Sequence, residues 1–507
     1  MRTMLSLTYR IITLTLVLFI SESFGQAIFT SKVTSGNWNN VASWNSVGSD
    51  DDGIPDANDT VLVSITDTNH TIIIPFQTIA ECRVLFIGKA KSGTGGGVVL
   101  SDSSSIVTSE ITINQPNNGT RFLSIGTGTF IVNGDIALNS VNIVSSGRIS
   151  KVTITTGNLS VKGNIFFNAR VADNAVIDLT ADSASLNIGK NFITNPKGTL
   201  LPGTHSRVIF DGEIPQIIPL KIPTIQFNSI ICENTSNVGV SLDSTITPSK
   251  ISGDIYISKG ILHTRSYNVT GNSEKTLDIG ENTSFSIGAQ NSTNGFPIGF
   301  STRIHPTSTI IYEGGAQIVE PINKGYGNLI LEGTIPKIGN DSLIIKGDLK
   351  INSPLTTNNL TLLLLGNLEN NFPKLHINGT IIFTGNRNVT ISGEEEIFFE
   401  NFLLYSSGSV KLLQNISATN FTVKSGTVNL TNYSLEGEGT LTIENGAIMQ
   451  LRGTQRFPSR YTNYNLQSLS TVEYRGARQN VTAVPGGYGN LVLTGFDTKT
   501  IIENISI

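Results

Sequence analysis

The chain has 507 residues, of which 38% are hydrophobic and 14% charged, with 50 glycines and a formal net charge of −4. This length suits two to four ordinary domains, and the composition describes a β-rich, turn-rich chain in which helices should be almost absent. Lys and Arg are scattered along it, which argues against nucleic acid and against an anionic membrane surface as partners, since either needs clustered positive charge.

At the N-terminus, Arg2 and Arg10 precede the apolar run 11–20, and Ser23-Phe24-Gly25 places small residues before Gln26. The run is too short to span a bilayer and closes on a cleavage-like site, so residues 1–25 read as a secretory signal peptide and Gln26 as the first mature residue. The alternative is an N-terminal membrane anchor. No later window is apolar enough for a membrane-spanning helix, so the mature chain is expected to be secreted or held at the cell surface.

Residues 26–100 differ from the rest. Gly36-Asn37-Trp38 and Ala42-Ser43-Trp44 hold the chain's two tryptophans, and the strand-like runs 61–65 and 71–75 follow. Large aromatics ahead of the first strand ladder suit a cap that closes the open end of a solenoid. Between them lies an acidic loop containing Asp50, Asp51, Asp52, Gly53, Asp56 and Asp59. Its spacing resembles the calcium loops of thrombospondin type 3 repeats, although Gly48 stands where the first acidic residue belongs and there is one copy. Hard Ca²⁺ takes six to eight oxygens from a flexible loop, which makes Asp50, Asp52, Asp56 and Asp59 candidate ligands and calcium the candidate cofactor. The alternative is a solvated turn in which Asp59 bonds the backbone. Cys82 and Cys232 are far apart, in apolar strand-like runs and without a CxxC or Cys/His neighbour. They read as small buried hydrophobes, although in an exported protein they can also pair.

From residue 101 to 507 short β-branched segments alternate with Gly, Asn, Ser and Asp, for example 110–114, 130–132, 150–155, 164–167, 175–179, 254–257, 342–346, 379–383, 426–430 and 440–444. No stretch holds a helical period over a dozen residues, so the fold is all-β. Gly-Asp/Asn-apolar corners recur at Gly134-Asp135-Ile136, Gly163-Asn164-Ile165, Gly253-Asp254-Ile255, Gly347-Asp348-Leu349 and Gly366-Asn367-Leu368. Gly and Asn tolerate positive φ, which suits a tight corner between strands. A corner roughly every 20–30 residues matches the coil of a right-handed parallel β-helix, a solenoid of short strands. Tandem β-sandwich modules are the competing architecture, because a turn roughly every 8–12 residues also suits a sandwich.

Four copies of a further pattern join an aromatic-x-Gly step to a second aromatic downstream, beside an Asn and an apolar run. They are Phe210-Asp211-Gly212 with Phe227-Asn228, Tyr312-Glu313-Gly314 with Tyr326-Gly327-Asn328-Leu329, Phe383-Thr384-Gly385 with Phe399-Glu400-Asn401, and Tyr474-Arg475-Gly476 with Tyr488-Gly489-Asn490-Leu491. One local burial problem solved repeatedly marks an elongated repeat protein. The residue inside the step is Asp211, Glu313, Thr384 or Arg475, so that position is expected to face solvent and share no chemistry.

Catalytic patterns are missing from the sequence. His70, His205, His263, His305 and His376 are isolated, and neither a nucleophile elbow nor a phosphate-binding Gly-rich loop opening a helix occurs. The run Glu394-Glu395-Glu396 suits an exposed turn, because three like charges repel in a closed site. A carbohydrate-active β-helix enzyme, of polysaccharide lyase or glycosidase type, is the alternative and calls for paired carboxylates in one groove.

The order Gly-x-Trp, Ser-Trp, Ile-Pro-x-x-x-Asp-x-Val and then glycine-punctuated strands resembles the start of large secreted surface proteins of Bacteroidota, and is similar to the Trp-containing β domain named for its eight glycines. The Tyr-Gly-Asn-Leu-x-Leu-x-Gly copies likewise resemble the repeats of these adhesin-like proteins. The resemblance implies a non-enzymatic stalk presenting polar β faces to carbohydrate or another extracellular surface, with a C-terminal sorting domain for type IX secretion. Here the last copy stops at Ile507 before its corner, so the chain is expected to be a fragment or truncated product.

Overall fold

The computed structural model describes residues 26–50, 52–89, 93–140, 147–195 and 197–507. The segment 1–25 and Asp51 lie outside the described residues, and with them the expected signal peptide and one carboxylate of the acidic loop. Among the described residues there is no α-helix, only the short 3-10 turns Val41–Ser43 and Ala172–Asn174. The strands pair in parallel as a β-solenoid of about 19 turns. Tandem β-sandwiches are thereby ruled out, since a sandwich is built of antiparallel neighbours. By contacts the chain divides into two units, Met1–Ile231 with Ser249–Gly253, and Cys232–Pro248 with Asp254–Ile507.

In the first unit, alternation within each strand turns every second residue inward, and parallel register stacks equivalent residues of successive coils. One ladder runs Phe29, Val61, Leu85, Ile111, Ile136, Ile165 and Phe192. Another runs Ile72, Val98, Leu123, Val152, Ile177 and Leu200. All are buried, and each such side chain contributes about 1.5–3 kcal/mol relative to exposure. The second unit has its own ladder, Val240, Leu262, Phe285, Ile310, Leu329, Leu349, Leu368, Ile391 and Leu412. The rings of Phe402 and Phe421 stack in register at 4.4 Å and 8°.

The ladder starts earlier than a cap spanning residues 26–100 implies. Ile28–Ser31 already pairs in parallel with Thr60–Val63. On its other side it pairs antiparallel with Trp44–Val47, the last strand of that sheet. Trp38 and Trp44 sit beneath, 1% and 3% exposed, their rings edge to face at 5.5 Å. The Trp44 indole N–H donates to the Trp38 carbonyl at 2.8 Å. The indoles thus fill the interior beside an edge strand whose reversed direction interrupts parallel stacking.

The Gly-Asp/Asn corners are real, but their expected cause is not. None of Gly134, Gly163, Gly253, Gly347 and Gly366 has positive φ. Each is instead pressed against the preceding coil: a Cβ on Gly366 would stand 2.2 Å from the Gly347 carbonyl oxygen, and one on Gly163 would stand 2.4 Å from that of Gly134. The following Asp or Asn then ties coils together. Asp135 Oδ1 accepts from the Asn164 backbone N–H at 2.6 Å. In the second unit Asn328 Oδ1 accepts from Asp348 N, Asp348 Oδ1 from Asn367 N, and Asn367 Oδ1 from Thr390 N, at 2.8–2.9 Å. The Asn of the Tyr-Gly-Asn repeat is therefore the first member of this column of bonds. Gly366→Ala is expected to destabilise the second unit by about 1–3 kcal/mol through the clash. A urea midpoint unchanged from the parent would show that the coils have room to part.

Candidate functional site

The acidic loop brings its carboxylates to the backbone rather than to one another. Asp50 accepts from Gly53 N, Asp52 from Ile54 N at 2.8 Å, and Asp56 from Asn58 N at 2.7 Å. Asp59, 1% exposed, is the structural member: one oxygen accepts from Asp56 N at 2.8 Å and the other from Ala27 N at 2.9 Å, tying the loop to the first strand. Burial raises its pKa above the ordinary carboxylate value, with the Asp56 and Asp50 charges acting in the same direction. Among the described residues no group of three or more His, Cys, Asp or Glu is gathered in a way that could hold a metal ion. Both cysteines are free, buried thiols, pushed up to about 12 by burial, which keeps them protonated and unreactive.

The four aromatic copies share a role in the interior. Tyr312 and Tyr326 meet hydroxyl to hydroxyl at 3.0 Å, and Tyr474 and Tyr488 at 3.1 Å. Phe210 and Phe227 lie 6.3 Å apart, while in the third copy Phe383 and Phe399 both contact Phe402. Tyr326 donates to the Glu320 carbonyl and Tyr488 to that of Thr482, which pins the loop between each pair. A glutamine that sequence reasoning missed completes the turn. Gly212, Gly314 and Gly476 donate their N–H to Gln216, Gln317 and Gln479, at 3.0, 2.7 and 2.6 Å. Each glutamine amide then donates to two backbone carbonyls of the preceding coil segment, Ile188 and Lys190, Ile287 and Asn294, or Leu451 and Gln455. The signal was present: aromatic-x-Gly is followed by Gln in three copies, and only the third lacks it. Copies two and four add a lysine, Lys337 or Lys499, whose Nζ donates to the Gly314 or Gly476 carbonyl at 2.6 Å.

The position inside the aromatic-x-Gly step is less exposed than expected. Asp211 pairs with Lys162 at 3.1 Å. Glu313 accepts from Ser286 and lies 3.4 Å from His263. Those contacts hold its carboxyl below the usual range against the opposing effect of burial. Only Arg475 is exposed among the charged three; Asp211 and Glu313 are half-buried. The other histidines also have structural partners: His70 is buried between Ser31 and Thr68, His205 meets Asp182, His305 meets Thr307, and His376 lies edge-on to Phe398. Glu394-Glu395-Glu396 forms an exposed turn. Two carboxylates gather around one lysine, Lys350, which bonds Glu369 at 2.9 Å and feels the Glu332 charge. Lys350 and Asn371 hold Glu369 below the usual carboxylate range, whereas a general acid needs its pKa raised towards neutrality.

Basic residues, scattered in sequence, are gathered at one place in the second unit. Leu451 pairs in register with Tyr474, so Arg452 and Arg475 follow in adjacent coils and both stand exposed. They line a cleft with Lys411, Asn432, Tyr433 and Phe496. No ion pair among the described residues involves Lys411, Arg452 or Arg475. Glu473, in the same outward column as Lys411, is occupied by Gln450 and Thr494 at 2.8 Å each. Comparison with known proteins finds no matching family model, curated protein or solved structure.

Proposed function

We propose that this protein is a secreted or surface-exposed structural protein, adhesin-like and without catalysis, whose polar β faces meet carbohydrate or another extracellular surface. The observation that carries this proposal is the outward face of the coils. Ser105, Thr129, Asn158 and Ser185 form one outward column in register. Asn114, Asn139 and Asn168 form another, their amides bonded to one another at 3.1 and 2.8 Å. Asn401 and Asn420 repeat the device in the second unit at 2.9 Å. Parallel stacking repeats these uncharged donors and acceptors at roughly 4.8 Å intervals, a pattern suited to a polymer of hydroxyl groups. The Trp-bearing N-terminal segment and the Tyr-Gly-Asn repeats support the same kinship with Bacteroidota surface proteins.

Two measurements test the proposal. Beads coated with the chain should adhere to polysaccharide-coated surfaces while leaving the polymer's length unchanged; new reducing ends released from it would make the protein an enzyme instead. Exported chain should begin at Gln26 by N-terminal sequencing, and recovery solely inside the cell with Met1 in place would defeat the secreted assignment.

A further inference from the structure

We infer that the cleft lined by Lys411, Tyr433, Arg452, Arg475 and Phe496 binds an anionic polysaccharide, a chain of uronic acid residues laid across successive coils. The inference rests on the carbohydrate-facing function proposed above and names the glycan class for one site.

Three observations carry it. Lys411, Arg452 and Arg475 are exposed cations lining one cleft without an ion-pair partner among the described residues. Two other arginines of this unit are engaged by acids, Arg460 by Glu436 and Arg478 by Asp497. Leaving Arg452 and Arg475 side by side costs repulsion that a bound anion relieves, and the planar guanidinium matches a carboxylate in two-point geometry.

Spacing is the second observation. The backbone N–H of Arg475 bonds the Leu451 carbonyl at 2.8 Å, so the two arginines rise from neighbouring coils about 4.8 Å apart. A pyranose ring is of similar length, so a polymer running along the coil axis brings one carboxylate to each arginine. Lys411 stands two coils before Gln450, in the neighbouring outward column of Asn429, Gln450 and Glu473, and lines the same cleft from beside the two arginines.

The aromatic rings are the third. Phe496 is fully exposed, at 110%, and Tyr433 is half-buried. The exposure of Phe496 belongs to its turn: Thr334 occupies the same place after Gly333 in the second aromatic copy and is likewise exposed, with further coils on both sides. An aromatic there offers a flat apolar face to the C–H face of a sugar. Asn432 adds a neutral donor and acceptor at the same rim. Three cations with rings and amides suit a hydroxyl-rich polyuronate, with one charge per sugar ring, better than a duplex nucleic acid, whose phosphates fall about every 1.7 Å of axis and call for a longer basic track.

The test uses the full chain in affinity electrophoresis and calorimetry with polygalacturonate, dextran, a 20-nucleotide oligo-dT and anionic lipid vesicles as separate probes. Polygalacturonate should bind, more weakly as salt rises. Binding should fall at least about tenfold in Arg452→Gln/Arg475→Gln and about threefold in Phe496→Ala, and Lys324→Gln, an exposed cation outside the cleft, should leave it unchanged. These positions are exposed, so the variants should keep the parent's circular dichroism and melting point. Equal polygalacturonate binding by parent and double variant overturns the cleft assignment and leaves the wider function standing, as does binding of dextran alone. Tighter cleft-dependent binding of oligo-dT or vesicles overturns the ligand class. Failure to hold any glycan, here or on coated beads, overturns both proposals.

Discussion

Raising the pH from about 9 to about 11.5 is expected to unfold the second unit, even though most of its core is aliphatic. Tyr312, Tyr326, Tyr461 and Tyr488 are 0–5% exposed, and burial raises the pKa of each above that of a free phenol, with the neighbouring tyrosine adding to the rise at Tyr326, Tyr461 and Tyr488. In the unfolded chain these phenols ionise near pH 10, while in the fold they stay neutral. Above that pH the folded state holds more protons than the unfolded one, so stability falls with rising pH; below it the phenols are neutral in both states and contribute no slope. Each costs about 1.4 kcal/mol per pH unit, or roughly 5 kcal/mol per unit for the four together. Lys337 acts oppositely in a lower window. Burial lowers its pKa to about 8, so the unfolded chain binds the extra proton between about pH 8 and 10.5 and stability rises there.

Urea midpoints measured across this range should therefore climb slightly and then collapse. Replacing Tyr312 and Tyr326 by phenylalanine should remove about half of the alkaline slope while lowering stability at neutral pH by about 1–2 kcal/mol, because the Glu320 carbonyl loses its donor. Phenylalanine fits, since Phe210 and Phe227 stand at these positions in the first copy. A midpoint indifferent to pH between 10 and 11.5 would contradict the buried hydroxyl pairs.

Gln317→Leu is expected to destabilise the second unit by about 3–5 kcal/mol, although the substitution adds apolar surface to a buried position. Gln317 is 0% exposed and serves three backbone groups at once, the Gly314 N–H and the carbonyls of Ile287 and Asn294. Leucine fills similar space and leaves all three without this partner, each at about 1–3 kcal/mol. Solenoid coils are coupled to their neighbours, so the loss should appear first as faster hydrogen exchange at residues 309–345. Gln479→Leu should repeat it two copies later, whereas Asn388→Leu, at the exposed equivalent in the third copy, should cost only about 1 kcal/mol, because Asn388 accepts from Ser409 alone and at an exposed edge. A Gln317→Leu loss below about 1 kcal/mol would mean that the turn re-forms its bonds by other routes.

Most of the architecture was legible because its signals are local. Alternation of apolar and polar residues along short segments, glycine punctuation and the regular return of corners belong to single coils, and each is fixed by neighbours in sequence. The paired aromatics were visible for the same reason, and so was the exposed Glu394-Glu395-Glu396 turn. The acidic loop was legible as a group of carboxylates, but not that Asp52 and Asp56 each accept from an amide two residues on while Asp59 reaches back to Ala27.

What the sequence determined by itself was the kind of object: an all-β chain that repeats one buried coil, with indoles set at its first turns. Tertiary structure alone decided which residues of different coils stand together, because register joins positions a whole coil apart that carry no mark of each other. It turned the corner glycines from conformational hinges into points of close approach, since Gly366 abuts the Gly347 carbonyl without a positive φ. It also brought Lys411, Arg452 and Arg475, dispersed over four successive coils, onto one cleft. Side-chain alternation dictates only which way each residue faces; the stacking of coils dictates its neighbours, and charge and recognition depend on those neighbours.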